Sequence, residues 1–329
     1  MQGKFFARLS RTTLLLIAVT AKIGSLSWAE STVPQIGVLT PGLTFDPVFR
    51  GLQEGLARLG YTEGKNISFI VENTKGNTSD LGNRAVRLAE SKPKALFTVS
   101  TSHTAAAMKA TPSVPIVFAW VGDPLQSGFV ASYVSSKNNL TGVSSYAGPL
   151  SGKRLEMLKE IEPKVKQILA IVAAKDSVAE NSFEFLDETA RKIGVHVLRR
   201  DVTSKEEIEN VLRATPKGSI DAIYHIPSAL VGVYIDLLIR KAKENKIPLV
   251  VHEESMVEKG ALFTYGADFR LVGIQAARLV AKVLKGERPA EIPTETPEKL
   301  LFVLNLSTAK AINFKVPRDI LERADRLIQ

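Results

Sequence analysis

Short β-branched runs alternate with longer amphipathic segments along most of this chain, and the alternation runs through twice. The first run, residues 35–39 (Gln35, Ile36, Gly37, Val38 and Leu39), reads as a buried strand. Residues 46–59 follow, with Phe49, Leu52, Leu56 and Leu59 spaced by three and four as on one face of a helix, and Gly60 closes it as a C-terminal cap. Further strands are expected at 67–71, 96–99, 116–119 and 139–143, with helices at 80–91 and 104–110. This is the rhythm of a parallel sheet with crossover helices.

A similar series starts after residue 150. Helix 152–161, strand 167–172, helix 178–193, strand 195–199 and helix 205–214 lead to strand 222–225, helix 230–245 and strands 248–251 and 261–264. Two series of matching length imply an α/β fold of two doubly wound parallel-sheet lobes with a cleft between them. A helix at 272–285, a strand at 301–304 and a helix at 317–328 are left over, which suggests that the chain crosses between lobes more than once.

The N-terminus carries Lys4, Arg8 and Arg11 before an apolar run over 12–21, then Ser27, Trp28 and Ala29, the pattern of a secretory signal peptide cleaved after about Ala29. Lys22 interrupts the run, which falls well short of the ~20 residues that span a bilayer. The sequence has no cysteine, hence neither a disulfide framework nor a lipid-bearing cysteine. The expected location is the periplasm, as a freely diffusing monomer. The formal net charge is +9, and setting aside the four cations of residues 1–29 leaves 39 basic against 34 acidic residues, +5. With no basic run interleaved with aromatics, no nucleic-acid partner is expected.

In open parallel sheets, loops at the carboxyl ends of strands line the ligand crevice. There the chain places Ser100, Thr101, Ser102, His103 and Thr104, a hydroxyl-rich helix entry suited to a carboxylate or other anion and richer than an N-cap requires. Thr40 follows the first strand. Trp120 and Asp123 follow another: Asp123 reads as a ligand acceptor or as an Asx-Pro turn, and Trp120 as core packing or as a surface on which a flat ligand stacks. Tyr146 is a second aromatic candidate. The second series offers Lys175, Asp176 and Ser177, then Glu180, Asn181 and Ser182, then Pro227 and Ser228 after His225, and finally His252, Glu253 and Glu254.

His103, His225 and His252, with Glu253, could in principle form a metal site, but they lack the short paired spacing of zinc sites, so no metal is expected. Catalytic motifs are missing too: there is no cysteine nucleophile, no Gly-x-Ser-x-Gly elbow, and residues 252–256 are not His-Glu-x-x-His. Residues 60–65 lack the hydroxyl of a phosphate loop and lead into a strand. The chain is expected to be no enzyme and to carry no cofactor.

An ordered set of motifs resembles the ABC transporter substrate-binding protein family typified by the tryptophan- and phenylalanine-binding lipoproteins of Gram-positive bacteria. It comprises Ile36-Gly37-Val38-Leu39, Gly51 to Gly60 with Tyr61-x-Glu63-Gly64-Lys65-Asn66, Pro115-Ile116-Val117-Phe118, Gly122-Asp123-Pro124 and Asn139-Leu140-Thr141-Gly142-Val143. It continues with Lys246-Ile247-Pro248, Gly260-Ala261 to Tyr265-Gly266, Leu284-Lys285-Gly286-Glu287-x-Pro289 and Asn305-Leu306-x-Thr308-Ala309. The resemblance implies a type I periplasmic-binding fold with crossovers near 146–150, 267–271 and 300–305. The N-terminal lobe is then 30–146 with 270–299, and the C-terminal lobe 147–269 with 300–329. It also implies that Ser100 to Thr104, Asp123, and Glu180, Asn181 and Ser182 occupy ligand positions. Two loops depart from the amino-acid binders: Ile226-Pro227-Ser228 replaces a Thr-Asp-Asn loop, and Val251-His252-Glu253 replaces a Ser-Asp loop.

The expected function is that of an extracytoplasmic solute-binding protein of an ABC importer. It would capture a small polar organic ligand, an amino acid or related carboxylate, by hinge closure and pass it to an ABC permease in the inner membrane. A ligand sensor that presents its closed form to a signalling receptor is the alternative, and a hydrolase on the same sheet the third reading.

Overall fold

The computed structural model describes residues 33–42 and 45–329; the expected signal peptide lies outside the described residues. The first sheet contains β1 (Gln35–Thr40), β2 (Ser68–Asn73), β3 (Ala95–Val99), β4 (Ile116–Val121) and β5 (Leu140–Ser144), in the order β2-β1-β3-β4-β5 with every pairing parallel. Both faces are covered. Ile36, Val38, Phe97, Val99, Val117 and Ala119 face one core, while Leu39, Leu96, Ile116 and Phe118 face another. Alternate residues thus enter different cores, so the central strands β1, β3 and β4 are buried along nearly their whole length and show no apolar-polar alternation.

Helix α1 (Asp46–Arg58) buries Val48, Leu52 and Leu56 on the first core; α2 (Leu81–Glu90) and α3 (Thr101–Ala110) cover the second. Helix α3 begins three residues before the expected start, taking the hydroxyl-rich segment into its first turn.

The second lobe holds α4 (Ala147–Ile161), β6 (Gln167–Ala173), α5 (Ser177–Ile193), β7 (His196–Val202), α6 (Lys205–Ala214) and β8 (Ala222–His225). Local chemistry explains several ends. Asp176 caps α5 by accepting from the Val178 and Ala179 amides, and Gly194 closes it at φ 69°. Ser204 accepts from Glu207 N while the Glu207 carboxylate accepts from Thr203 N, a capping box that starts α6 at the expected residue. Beyond β8 come α7 (Ala229–Val233), α8 (Ile235–Asn245), β9 (Leu249–Val251), α9 (Glu254–Glu258) and β10 (Phe263–Ala267). The expected single helix over 230–245 is therefore two, broken at Tyr234.

Helix α10 (Phe269–Leu284) then packs against α1 in the first lobe. The approach is close enough that a Cβ on Gly51 would lie 2.1 Å from Arg270 O, and one on Gly273 2.0 Å from Val48 O. After a 3-10 turn (Pro289–Glu291), Glu295 bridges Val143 at the edge of β5. The chain next enters β11 (Leu300–Asn305), followed by α11 (Leu306–Ala311), α12 (Arg318–Arg323) and β12 (Arg326–Ile328). The second sheet has the order β12-β11-β10-β9-β8-β6-β7, parallel except for the antiparallel pair β10 and β11. The expected C-terminal helix over 317–328 is in fact one short helix and an edge strand. Asp325 ends the helix by accepting from Phe302 N, which hands residues 326–328 to β11.

Candidate ligand-binding cleft

The carboxyl ends of the parallel strands gather most of the candidate residues: Thr40 at the end of β1, Ser100 after β3, Trp120 in β4, Tyr146 after β5, Pro227 and Ser228 after β8, and His252 and Glu253 after β9. The two sets of ends meet. A Cβ on Gly122, just past β4, would sit 2.9 Å from a methyl of Val178 at the start of α5.

On the first lobe, Ser100 turns the chain with φ 79° and ψ 160°, a backbone that L residues rarely adopt, and begins α3. Thr104 donates to Ser100 O at 2.8 Å and pairs with Thr98 at 2.8 Å, while the Thr101 hydroxyl accepts from Gly122 N at 3.2 Å. The buried His103 has Nδ1 2.9 Å from Ser100 Oγ and 3.2 Å from Ser102 Oγ, and Nε2 3.1 Å from Thr74 Oγ1. Burial lowers its pKa to about 4, so the ring is neutral near pH 7. Thr101, His103 and Thr104 thus hold the loop, and Ser100 and Ser102 retain hydrogen-bonding capacity.

A register shift in β4 between Ala119 and Val121 accompanies φ 60° at Trp120. Its ring, 9 % exposed, stacks on Phe269 at 3.9 Å between centroids, in the first-lobe core. Tyr146, at φ 55° before α4, is 37 % exposed and is the more accessible aromatic. Asp123 accepts from the Leu125 and Gln126 amides at 2.9 and 3.0 Å, the Asx turn that the sequence allows.

On the second lobe, Glu180 takes Arg199 bidentately at 2.6 and 2.9 Å, and Arg199 also binds Asp201. Asn181 is buried against Gly148, and Ser182 is fully buried with its hydroxyl unpartnered. Pro227 is buried and Ser228 caps α7 through Val231 N. Lys175 and Ser177 are exposed.

The His225 and His252 rings face each other, Nδ1 to Nδ1 at 3.1 Å, and the buried His225 Nε2 has no partner among the described residues. Desolvation lowers His225 to about 3, with a further push from the Arg154 cation. His252 is held well below its ordinary value by burial, by His225 and by Arg154. Glu253 is buried, accepts from Ser255 Oγ at 2.9 Å and stands 3.8 Å from His252 Nε2; burial pushes its carboxyl up. Among the described residues, no three His, Cys, Asp or Glu side chains are arranged to hold a metal ion.

Sequence reasoning missed Arg154. This guanidinium is 1 % exposed and donates to Tyr224 OH at 3.2 Å, Tyr265 O at 3.1 Å and Ser151 Oγ at 2.9 Å, without a carboxylate partner among the described residues. It lies on the buried side of α4, so its position relative to the helix stripe was the one available signal.

A family model described as ABC transporter substrate binding protein matches residues 36–328. A tyrosine-binding protein of Clostridioides difficile (strain R20291) is 28 % identical over 272 residues, 83 % of this chain and 78 % of that protein. The ABC domain in complex with L-Trp from Streptococcus pneumonia superposes with TM-score 0.83 at 24 % identity, over 90 % of this chain and all of that one. A ligand-free, open substrate binding protein with adhesive properties from Clostridium difficile gives TM-score 0.75 at 27 % identity, with the same coverage.

Proposed function

This chain belongs to the ABC transporter substrate binding protein family, and from that premise we propose that it captures a small polar organic solute between its lobes, outside the cytoplasm, and delivers it to an ABC permease of the inner membrane. The described residues 33–42 and 45–146 with 270–299 move as one body and residues 147–269 with 300–329 as the other. The segments joining β5 to α4, β10 to α10, and residue 295 to β11 act as hinges.

The observation that carries this reading is the contact of Gly122 with Val178, which brings strand-end loops of the two sheets together. The shape agrees: the resemblance to the L-Trp-bound domain is higher than to the open, ligand-free protein, although sequence identity runs the other way. Such a protein closes because the ligand binds the closed form better than the open one. The relatives point to an amino acid or a related carboxylate, which Ser100, Ser102, Tyr146 and Asn181 would contact, while the fully buried Ser182 would not reach it.

Isothermal titration of the exported protein, purified without refolding, against amino acids and organic acids tests this. At least one compound is expected to bind with a Kd of about 1 μM or tighter, some 8 kcal/mol. No binding across the panel, with no small molecule retained in native mass spectra, would sink the reading.

A further inference from the structure

Gly266 is a buried glycine inside strand β10, and its φ is not positive, so no turn accounts for it. What the missing side chain leaves is space. The point where a Cβ would stand is 3.0 Å from His252 O, 3.8 Å from Thr264 Oγ1 and 3.9 Å from Arg154 Nη1. A cavity of about 10 Å³ opens here, lined in part by His252, Glu253, Glu254, Thr264, Gly266 and Asp268.

Two of the groups around that point have bonds still to make. The Thr264 hydroxyl is buried, with the residue 3 % exposed, and has no partner among the described residues. Arg154 Nη1 carries two N–H groups and donates to Tyr265 O, which leaves one to give. The His252 carbonyl is the acceptor nearest the point.

Size and charge select what can sit there. A buried water needs roughly 10–15 Å³ and two to four polar partners, which this cavity and these three atoms supply. An anion would meet the His252 carbonyl and the carboxylates of Glu254 and Asp268 as well as Arg154. A cation would meet a buried guanidinium that has no carboxylate partner among the described residues. A neutral molecule that accepts once and donates twice meets neither penalty.

We infer that the second lobe holds a single buried water against Gly266, accepting from Arg154 Nη1 and bonding His252 O and Thr264 Oγ1. The water ties α4, through Arg154, to β10 and to the loop after β9. That loop carries His252 and Glu253, so one side of the candidate cleft is steadied by a group outside the polypeptide. The inference stands apart from the solute-binding reading, and either can fail alone.

Crystals of the exported protein that diffract well enough to show ordered water test it, as wild type, Thr264→Val and Gly266→Ala, with a bromide soak of the wild type. The wild type is expected to show one peak within hydrogen-bond distance of all three atoms, without anomalous signal in bromide. The peak should vanish in Gly266→Ala, whose methyl takes its place, and in Thr264→Val, which keeps the side-chain shape and loses the hydroxyl. Should the alanine variant not fold, Thr264→Val carries the comparison. No peak in the wild type, a bromide signal at the point, or a peak that survives in Thr264→Val overturns the inference. Hydrogen exchange reads the effect on the loop: amides of residues 252–254 should exchange about tenfold faster in Thr264→Val than in the wild type. Unchanged exchange there would overturn the claim that the water steadies the loop.

Discussion

The two lobes treat their strand-end histidines differently. In the first, His103 has hydroxyl partners on both ring nitrogens, in a loop whose other hydroxyls keep capacity to spare. In the second, His225 and His252 meet nitrogen to nitrogen beside a buried guanidinium with no carboxylate partner, and one nitrogen of His225 has no partner, among the described residues. One arrangement is a satisfied network of neutral groups that steadies a contact loop. The other is tolerated only while both rings stay neutral, because a second proton would set two N–H groups head to head next to Arg154. Similar βα architectures thus reach different electrostatic solutions at equivalent places.

Removing the guanidinium breaks this comparison most directly. Arg154→Ala is expected to cost about 3 kcal/mol, because Tyr224, Ser151 and the Tyr265 carbonyl lose their partner and a large buried volume empties. The urea midpoint measures it, and an unchanged midpoint would show that the second lobe does not depend on its buried cation.

Acid should separate the lobes next. All three histidines bind a proton less readily folded than unfolded, so below pH 6.5 the unfolded chain takes up more protons. Stability is complete above that pH and falls by about 1.4 kcal/mol per pH unit for each ring as pH drops toward the folded values, about 4 for His103 and about 3 for His225. The groups around the second-lobe pair are Arg154 from α4, Tyr224 from β8 and Glu253 after β9. Urea midpoints between pH 7 and 5 should therefore fall about twice as far through the second lobe as through the first. The double variant His225→Gln with His252→Gln should flatten the slope more than His103→Gln; the opposite ranking would reverse the contrast.

A smaller effect is expected where the lobes touch. Gly122→Leu should weaken any solute that binds by about tenfold, 1.4 kcal/mol, since the added side chain collides with Val178 on closure. Titration reads this out, and unaltered affinity would mean that these loops do not close on the ligand. Smallest is Ser182→Ala, which deletes a buried hydroxyl that has no partner among the described residues. The urea midpoint should stay level or rise by up to about 1 kcal/mol; a clear loss of stability would reveal a partner for that hydroxyl.

Much of the fold was legible. Runs such as 116–121 are apolar at every position, and 95–99 at all but Thr98, because alternate residues enter cores on opposite faces of the sheet, and that leaves a mark in the sequence. The C-terminal segment was misread because a helix of six residues and a strand of three carry too few periods to tell apart; the carboxylate of Asp325 on Phe302, far along the chain, decides between them. At the site, the strand-end rule located the loops but could not sort their residues. Asp123 and Ser228 turned out to serve local backbone, whereas Tyr146 is exposed and Trp120 is packed on Phe269.

By itself the sequence determined two βα series, their strands and most of their helices, because periodicity, caps and turn residues act between near neighbours. Tertiary structure alone decided that α10 returns to α1 through glycine contacts and that a guanidinium with no carboxylate partner among the described residues lies beside two histidines. Those outcomes depend on groups scores of residues apart meeting in a medium where an unpaired charge or a single extra methyl is costly.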